Sequence, residues 1–374
     1  MTDFGKWWND PKKHRKRRDY WLPHLKGVRK KFNGVRDPRY FTLCARSMID
    51  VFMLLHENIL KLDEEGYSIP SVRFCEVDPD QYTEIQDLLA VEDAGTLGEL
   101  EKVILFRDDD FTGQCPTLAS IATKLEDEHL QEDYAKIDRL TLKRNHLNVM
   151  ASFPYDFMNL DFCDYYYPDP PDMLRINETI KKVLDWQRRR GDDPNVPEGV
   201  EIEDFVLAVT CRHGAEFPKA AEDRLSALIE ANCEASPAYK EQVNATRGNA
   251  WIADWAKKDQ QDFFFAGWPK DIAHSAKEIG WSMTILDYVY YSRVGDSGKP
   301  YIMACLVARF NRAKGRPEYI PAALHALDPT KRVLIGDIDL NSDDGRALMS
   351  NLAEIVALRN EQARRKQVVE LPNP

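Results

Sequence analysis

The chain of 374 residues has no stretch near the roughly 18 consecutive apolar residues that a membrane-crossing helix requires. Its opening residues are polar, aromatic and basic, without the apolar core of a secretory signal, so an exported protein is not expected. Cysteine is sparse at 7, and no two stand at the short spacings of a zinc site or a disulfide framework. His146, His213 and His325 are likewise isolated, so no metal is expected and the thiols read as reduced ones in a cytoplasmic protein. Also missing are a Gly-x-Ser-x-Gly nucleophile turn, a Gly-rich phosphate loop with its Lys, internal repeats and low-complexity tracts. Those absences exclude the familiar serine hydrolases, P-loop nucleotidases and repeat scaffolds.

Hydrophobic residues at 43% and charged residues at 30% are ordinary for a globular chain able to bury a large core. The net charge of −11 is unevenly spread. Up to Arg39 there are 13 Lys plus Arg against 4 Asp plus Glu, so the leading segment carries +9 and the remainder −20. The densest cluster holds Lys12, Lys13, Arg15, Lys16, Arg17 and Arg18, flanked by Trp7, Trp8, Tyr20 and Trp21. Interleaved cations and aromatics suit a surface that tracks phosphates and stacks bases, so contact with nucleic acid or another acidic partner is one reading of this segment. The alternative is a solvated helix face whose apolar side packs on the body.

Trp21, Leu22, Leu25, Val28 and Phe32 fall near helical spacing, predicting helix over 11–32. Asn33-Gly34 and Asp37-Pro38 then break it. Strand-like runs follow at 40–44, 71–75, 102–106, 155–162 and 205–210. Helical patterns answer them at 47–61, around 82–89, 118–147, 173–190 and 220–232. An aromatic helical stretch, 250–279, precedes two β-rich runs, 283–293 and 301–310, joined by a Gly-containing turn that reads as a hairpin. A short apolar segment at 333–335 and a charged amphipathic helix over 344–366 close the chain.

This alternation predicts an α/β fold: a doubly wound, mostly parallel, seven-stranded sheet with helices on both faces. It ends in an antiparallel hairpin, with further helices at the two termini. The expected organisation is a basic helical segment (1–39), a Rossmann-like domain (40–330) and a strand and helix extension (331–374). In such sheets ligands collect beyond the carboxyl ends of the strands, here beside the strand ending at Cys44.

The element order, with acids at the strand ends, resembles that of class I S-adenosylmethionine-dependent methyltransferases over roughly Phe32–Phe310. The resemblance implies that Glu76, with Asp78 beside it, takes the position of the acid that holds the ribose hydroxyls. Asp109 or Asp110 takes that of the adenine contact. Asp161 and Asp164, in and after the fourth strand, stand where the family places a polar residue beside the methyl acceptor. An Asp inside an apolar strand needs a partner, which singles out Asp161. Each strand-end acid can equally be a solvated turn residue. The departure from the family lies at the opening joint, Cys44-Ala45-Arg46-Ser47, where the glycines that let a cofactor approach the backbone are missing. Ala45 passes as the small residue, whereas Arg46 projects bulk and charge. Arg46 and Ser47 at a helix start would suit an anion, or Arg46 would pair with Glu76 or Asp161 and fill the pocket.

The expectation is therefore a methyltransferase-like protein with a degenerate S-adenosylmethionine site and no metal. It would act as a binding or scaffolding subunit of a bacterial multi-protein assembly, of the phage-defence kind, in contact with nucleic acid. The alternatives are an active methyltransferase on nucleic acid or protein, and a nucleotide-binding or hydrolysing subunit that uses Arg46 and Asp108–Asp110.

Overall fold

The computed structural model describes residues 10–31, 37–43, 48–64, 66, 69, 71–75, 153–166, 176–188, 203–213, 218–248, 251–294, 298, 300–312 and 332–369. It is an α/β structure built on a mixed sheet. The parallel strands are β1 (Tyr40–Leu43), β2 (Val72–Cys75), β3 (Phe157–Tyr165) and β4 (Asp204–Arg212). The hairpin strands β5 (Trp281–Val294) and β6 (Pro300–Arg312) and the short β7 (Arg332–Leu334) complete it, in the order β2-β1-β3-β4-β6-β5-β7. β6 runs antiparallel to both β4 and β5, and β7 adds in parallel beyond β5. The expected run at 102–106 and the helices around 82–89 and 118–147 lie outside the described residues.

The central strands are buried on both faces, which is why Phe205–Thr210 reads as an unbroken apolar run instead of an alternation. Their side chains nonetheless divide into two layers. Phe41, Met158, Leu160, Leu207, Val209, Leu306 and Ala308 face one core, with helices α4 (Ile176–Arg188), α5 (Lys219–Ala235) and α8 (Gln260–Glu278). Tyr40, Phe157, Val206, Ala208, Cys305 and Val307 face the other, where α3 (Ile49–His56), the N-terminal helix and the C-terminal α9 (Asp343–Val369) pack. A register shift between Ile285 and Asp287 puts an extra residue into β5. It resets the alternation, so that Val289 and Tyr291 join the second core although Ile285 and Tyr288 serve the first.

The aromatic stretch at 250–279 is two helices, α7 (Ile252–Lys258) and α8, after α6 (Pro237–Arg247). Asp259 separates them, its carboxylate accepting from the Asp262 N–H at 2.9 Å as an N-cap. Phe263, Phe264, Phe265 and Trp268 are all buried, so this stretch is core.

The N-terminal helix begins as α1 (Pro11–Arg15), widens to a π-helical segment (Lys16–Trp21) and continues as α2 (Leu22–Lys31). Pro23 supplies the physical reason for the widening. It has no N–H to donate, and its ring crowds the carbonyl of Asp19, so the preceding turns loosen. The Leu22 N–H accordingly reaches back to the Arg17 carbonyl. At the other end Asp10 caps the helix, accepting from the Lys12 N–H at 2.8 Å, and also pairs with Arg293 on β5 at 3.1 Å. Trp21 seals the middle against Phe157, with ring centroids 5.1 Å apart. α3 was expected to start at Ser47. Instead Met48, in the left-handed region at φ 49°, precedes its first turn and makes no side-chain cap.

Candidate functional site

The carboxyl ends of the parallel strands carry a polar band on the face shared by α3 and the N-terminal helix. Thr42 of β1 pairs in register with Asn159 of β3, and Asp161 pairs with Thr210 of β4, which in turn stands opposite Cys305 of β6. Alternation aims all five side chains at the same layer. β1 ends at Leu43, so Asp161 projects just beyond the end of its neighbour, where ligands gather in sheets of this type.

The band has two parts. At the β1 side, Asp50 on α3 is buried and its Oδ2 accepts from Tyr40 Oη at 2.7 Å, Thr42 Oγ1 at 2.6 Å and Asn159 Nδ2 at 3.2 Å. Three donors compensate the buried carboxylate, and together they tie β1, β3 and α3 into one joint. Neither Asp50 nor this network was singled out by sequence reasoning. Asp50 reads as a weak helix-start acid, and only the strand register reveals the donors around it.

At the β3–β4 side the expected acid meets the expected basic run. Lys13 Nζ lies 2.9 Å from Asp161 Oδ2 and Lys16 Nζ lies 3.6 Å from it. Lys16 also donates to Thr210 Oγ1 at 2.9 Å. The side chains are almost sealed from water, 6% exposed for both Lys13 and Asp161 and 4% for Lys16. Burial alone would push the Asp161 carboxyl up, but Lys13, Lys16 and Arg17 hold it far below the usual carboxylate range. Burial lowers the Lys16 ammonium, opposed by Asp161. His14 is buried on the same helix and donates from Nε2 to Asn351 Oδ1 at 3.1 Å; burial first, then Arg17, bring it down to about 4.

The outer members of the run are also engaged. Lys12 pairs with Asp337 at 2.6 Å, Arg15 with Asp344, and Arg18 with Asp19 and Asp344. Lys13, Lys16 and Arg17 are therefore interior residues, and the run does not stand as an open phosphate-tracking stripe. Periodicity carried the signal for this: Lys13, Lys16 and Arg17 are three and four residues apart, in phase with Trp21 and Leu25, which belong to the apolar face.

Asp161 was expected to pair with Arg46 or to stand beside a methyl acceptor; the described geometry pairs it with lysines of the N-terminal helix. Ala45, Arg46, Ser47, Glu76, Asp78, Asp109 and Asp110 lie outside the described residues, as do the side chains of Asp164 and Cys163. Of the thiols, Cys211 faces the first core and Cys305 the second, and burial raises both. His213 closes β4, with its ring edge-on to Phe264 at 5.1 Å and its basicity lowered by burial.

Across the sheet, Lys270 on α8 is buried with Nζ 3.5 Å from the centroid of the Tyr239 ring, and burial brings it down to about 6. Beside it Asp271 accepts from Arg224 at 2.6 Å and from Tyr166 Oη at 3.3 Å. Among the described residues no group of three or more His, Cys, Asp or Glu side chains is placed to hold a metal ion. No described helix is long and apolar enough to cross a membrane.

The chain matches no protein-family model and no curated protein sequence, so the functional reading rests on its own residues.

Proposed function

We propose that this is a methyltransferase-like, doubly wound Rossmann protein whose strand-end site is closed by its own N-terminal helix, and that it works as a binding or scaffolding subunit of a larger assembly. Two features support the reading. β6 lies reversed between β4 and β5, a sheet ending similar to the hairpin with one reversed strand that finishes class I methyltransferase sheets. The helix N-terminal to β1 places Lys13 against Asp161 at 2.9 Å, at the position where an acceptor-side acid would have to be free. That pair is the observation that carries the proposal. A carboxylate neutralised by two buried ammonium groups cannot orient a methyl acceptor or take up a proton near neutral pH. The sequence at 44–47 points the same way, because it lacks the glycines that let a cofactor approach the backbone in the family it resembles.

Calorimetric titration with S-adenosylmethionine tests it. The intact chain is expected to give no saturable heat up to millimolar cofactor. Saturable binding in the micromolar range would overturn the closed-site reading and favour an active methyltransferase.

A further inference from the structure

At the opposite end of the sheet from the strand-end site, a recess of about 240 Å³ lies between α2 and the strands. Gly27, Val28 and Lys31 of α2 line one side. Asp204 and Val206 at the amino end of β4, with Arg309 near the carboxyl end of β6, line the other. Arg309 stands directly opposite Val206 in the antiparallel register, and Val206 belongs to the core beneath the N-terminal helix, so alternation turns Arg309 to the same side. Gly27 is exposed at the rim, where an added Cβ would meet nothing within 4 Å, so the helix leaves the mouth open.

Among the described residues the Arg309 guanidinium makes no ion pair and no hydrogen bond, and its Nε is buried without a partner. The acids of the flanking strands that reach α2 are committed there: Asp204 pairs with Lys31, and Asp287 on β5 with His24. Lys31 and Asp204 cancel, which leaves the recess the single positive charge of Arg309. Half-buried and without an acceptor, that group gives up hydration and gains nothing in return.

One cation suits one anionic charge. The outer edge of a guanidinium, Nη1 and Nη2, presents two parallel N–H groups that match both oxygens of a carboxylate. A phosphate would bring up to about two charges, more than the recess can balance. Val28 and Val206 supply apolar surface beside the cation. A cavity of roughly 150 Å³ takes benzene, and drug-sized ligands need roughly 300 Å³ or more, so a single ring or a short branched chain fits.

We propose that the recess between α2 and the amino end of β4 binds a small monocarboxylic acid with an apolar body, its carboxylate held by Arg309 Nη1 and Nη2. Val28 and Val206 receive the body, and the Lys31–Asp204 pair borders the mouth. The recess lies at the other end of β4 from Thr210, the neighbour of Asp161, so it does not depend on the closed strand-end reading.

Ligand-detected NMR titrations of the full chain test it, with benzoate and 3-methylbutanoate as probes in chloride buffer. Benzyl alcohol, a neutral molecule of the same size as benzoate, and inorganic phosphate are the contrasting arms at matched ionic strength. At least one carboxylate is expected to saturate with Kd at or below about 1 mM, and both contrasting probes to bind at least about tenfold more weakly. Arg309→Met keeps the length of the side chain and is expected to weaken carboxylate binding at least about tenfold with the fold retained. Arg309→Lys keeps the charge without the fork, so it carries the test should the Met variant not fold; a loss of about threefold or more is expected. No saturation by either carboxylate, benzyl alcohol or phosphate binding as tightly as the carboxylate, or an unchanged carboxylate Kd in the folded variant overturns the proposal.

Discussion

His14 is held in a place that favours the uncharged imidazole. With Nε2 donating to Asn351 Oδ1, Nδ1 is the bare nitrogen, and it is buried without a partner in a neighbourhood that includes Arg17 and Arg18. Folded, the group titrates at about 4; unfolded, it titrates near its ordinary 6.5. Between those values the unfolded chain holds a proton that the folded chain does not, so stability rises with pH across the window. Equivalently, acidification from about 6.5 to about 4 removes up to roughly 3 kcal/mol. Asp161 is shifted in the same direction: its folded value lies below the unfolded one, so its contribution is complete above about 4 and is lost only in stronger acid. The two windows therefore separate. Urea midpoints measured from pH 4 to 7 should slope less steeply for His14→Gln, which keeps a donor for Asn351, than for the wild type; the slope left over belongs to the other buried bases, His213 and Lys270. An unchanged slope in that variant would assign the window to another group.

Among the elements, the strands were the most legible in the sequence and the joints the least. Buried parallel strands announce themselves as apolar runs, so β1, β2, β3, β4 and the hairpin stand within a few residues of the segments read from pattern alone. The break at Asp259 was hidden, because the aromatic residues continue on both sides of it and only the cap geometry ends α7. Asp161 was legible as an acid that needed a partner, but the partner comes from a helix well over a hundred residues upstream, and local spacing cannot report such a contact. The fit of α8 on α5 is another long-range property. An added Cβ at Gly267 would stand 2.9 Å from Leu225 Cδ2 and 3.0 Å from both its Cβ and Cδ1, and Leu225 is fully buried with nowhere to swing. Gly267→Ala gains about 1 kcal/mol of helix propensity, while overpacking costs about 1–3 kcal/mol. The net expectation is a loss of about 1 kcal/mol in urea unfolding. A stabilised variant would mean that the two helices part more easily than their packing indicates.

For the whole molecule, the question is whether the leading basic helix is an appendage or part of one cooperative unit. Trp21, Leu22 and Leu25 enter the same core as Val206, Val307, Leu352 and Ile355, so the N- and C-terminal helices share one apolar layer over the sheet. The polar contacts repeat that pattern: His14 to Asn351, Arg15 and Arg18 to Asp344, Asp10 to Arg293. The half-exposed pairs contribute little individually. Detaching the helix, however, would break the Lys13 and Lys16 pairs with Asp161 and uncover the Trp21 seat, a loss of several kcal/mol. Local opening of 11–31 should therefore cost about as much as unfolding the sheet beneath it. Trypsin offers a direct measure, since six Lys and Arg residues lie in 12–18. Under native conditions cleavage there, followed by mass spectrometry, should be slow, and its rate should rise with urea along the same curve as loss of the near-ultraviolet signal. Rapid cutting within 12–18 while the sheet remains folded would make the helix a detachable arm, and Asp161 a residue that is free part of the time.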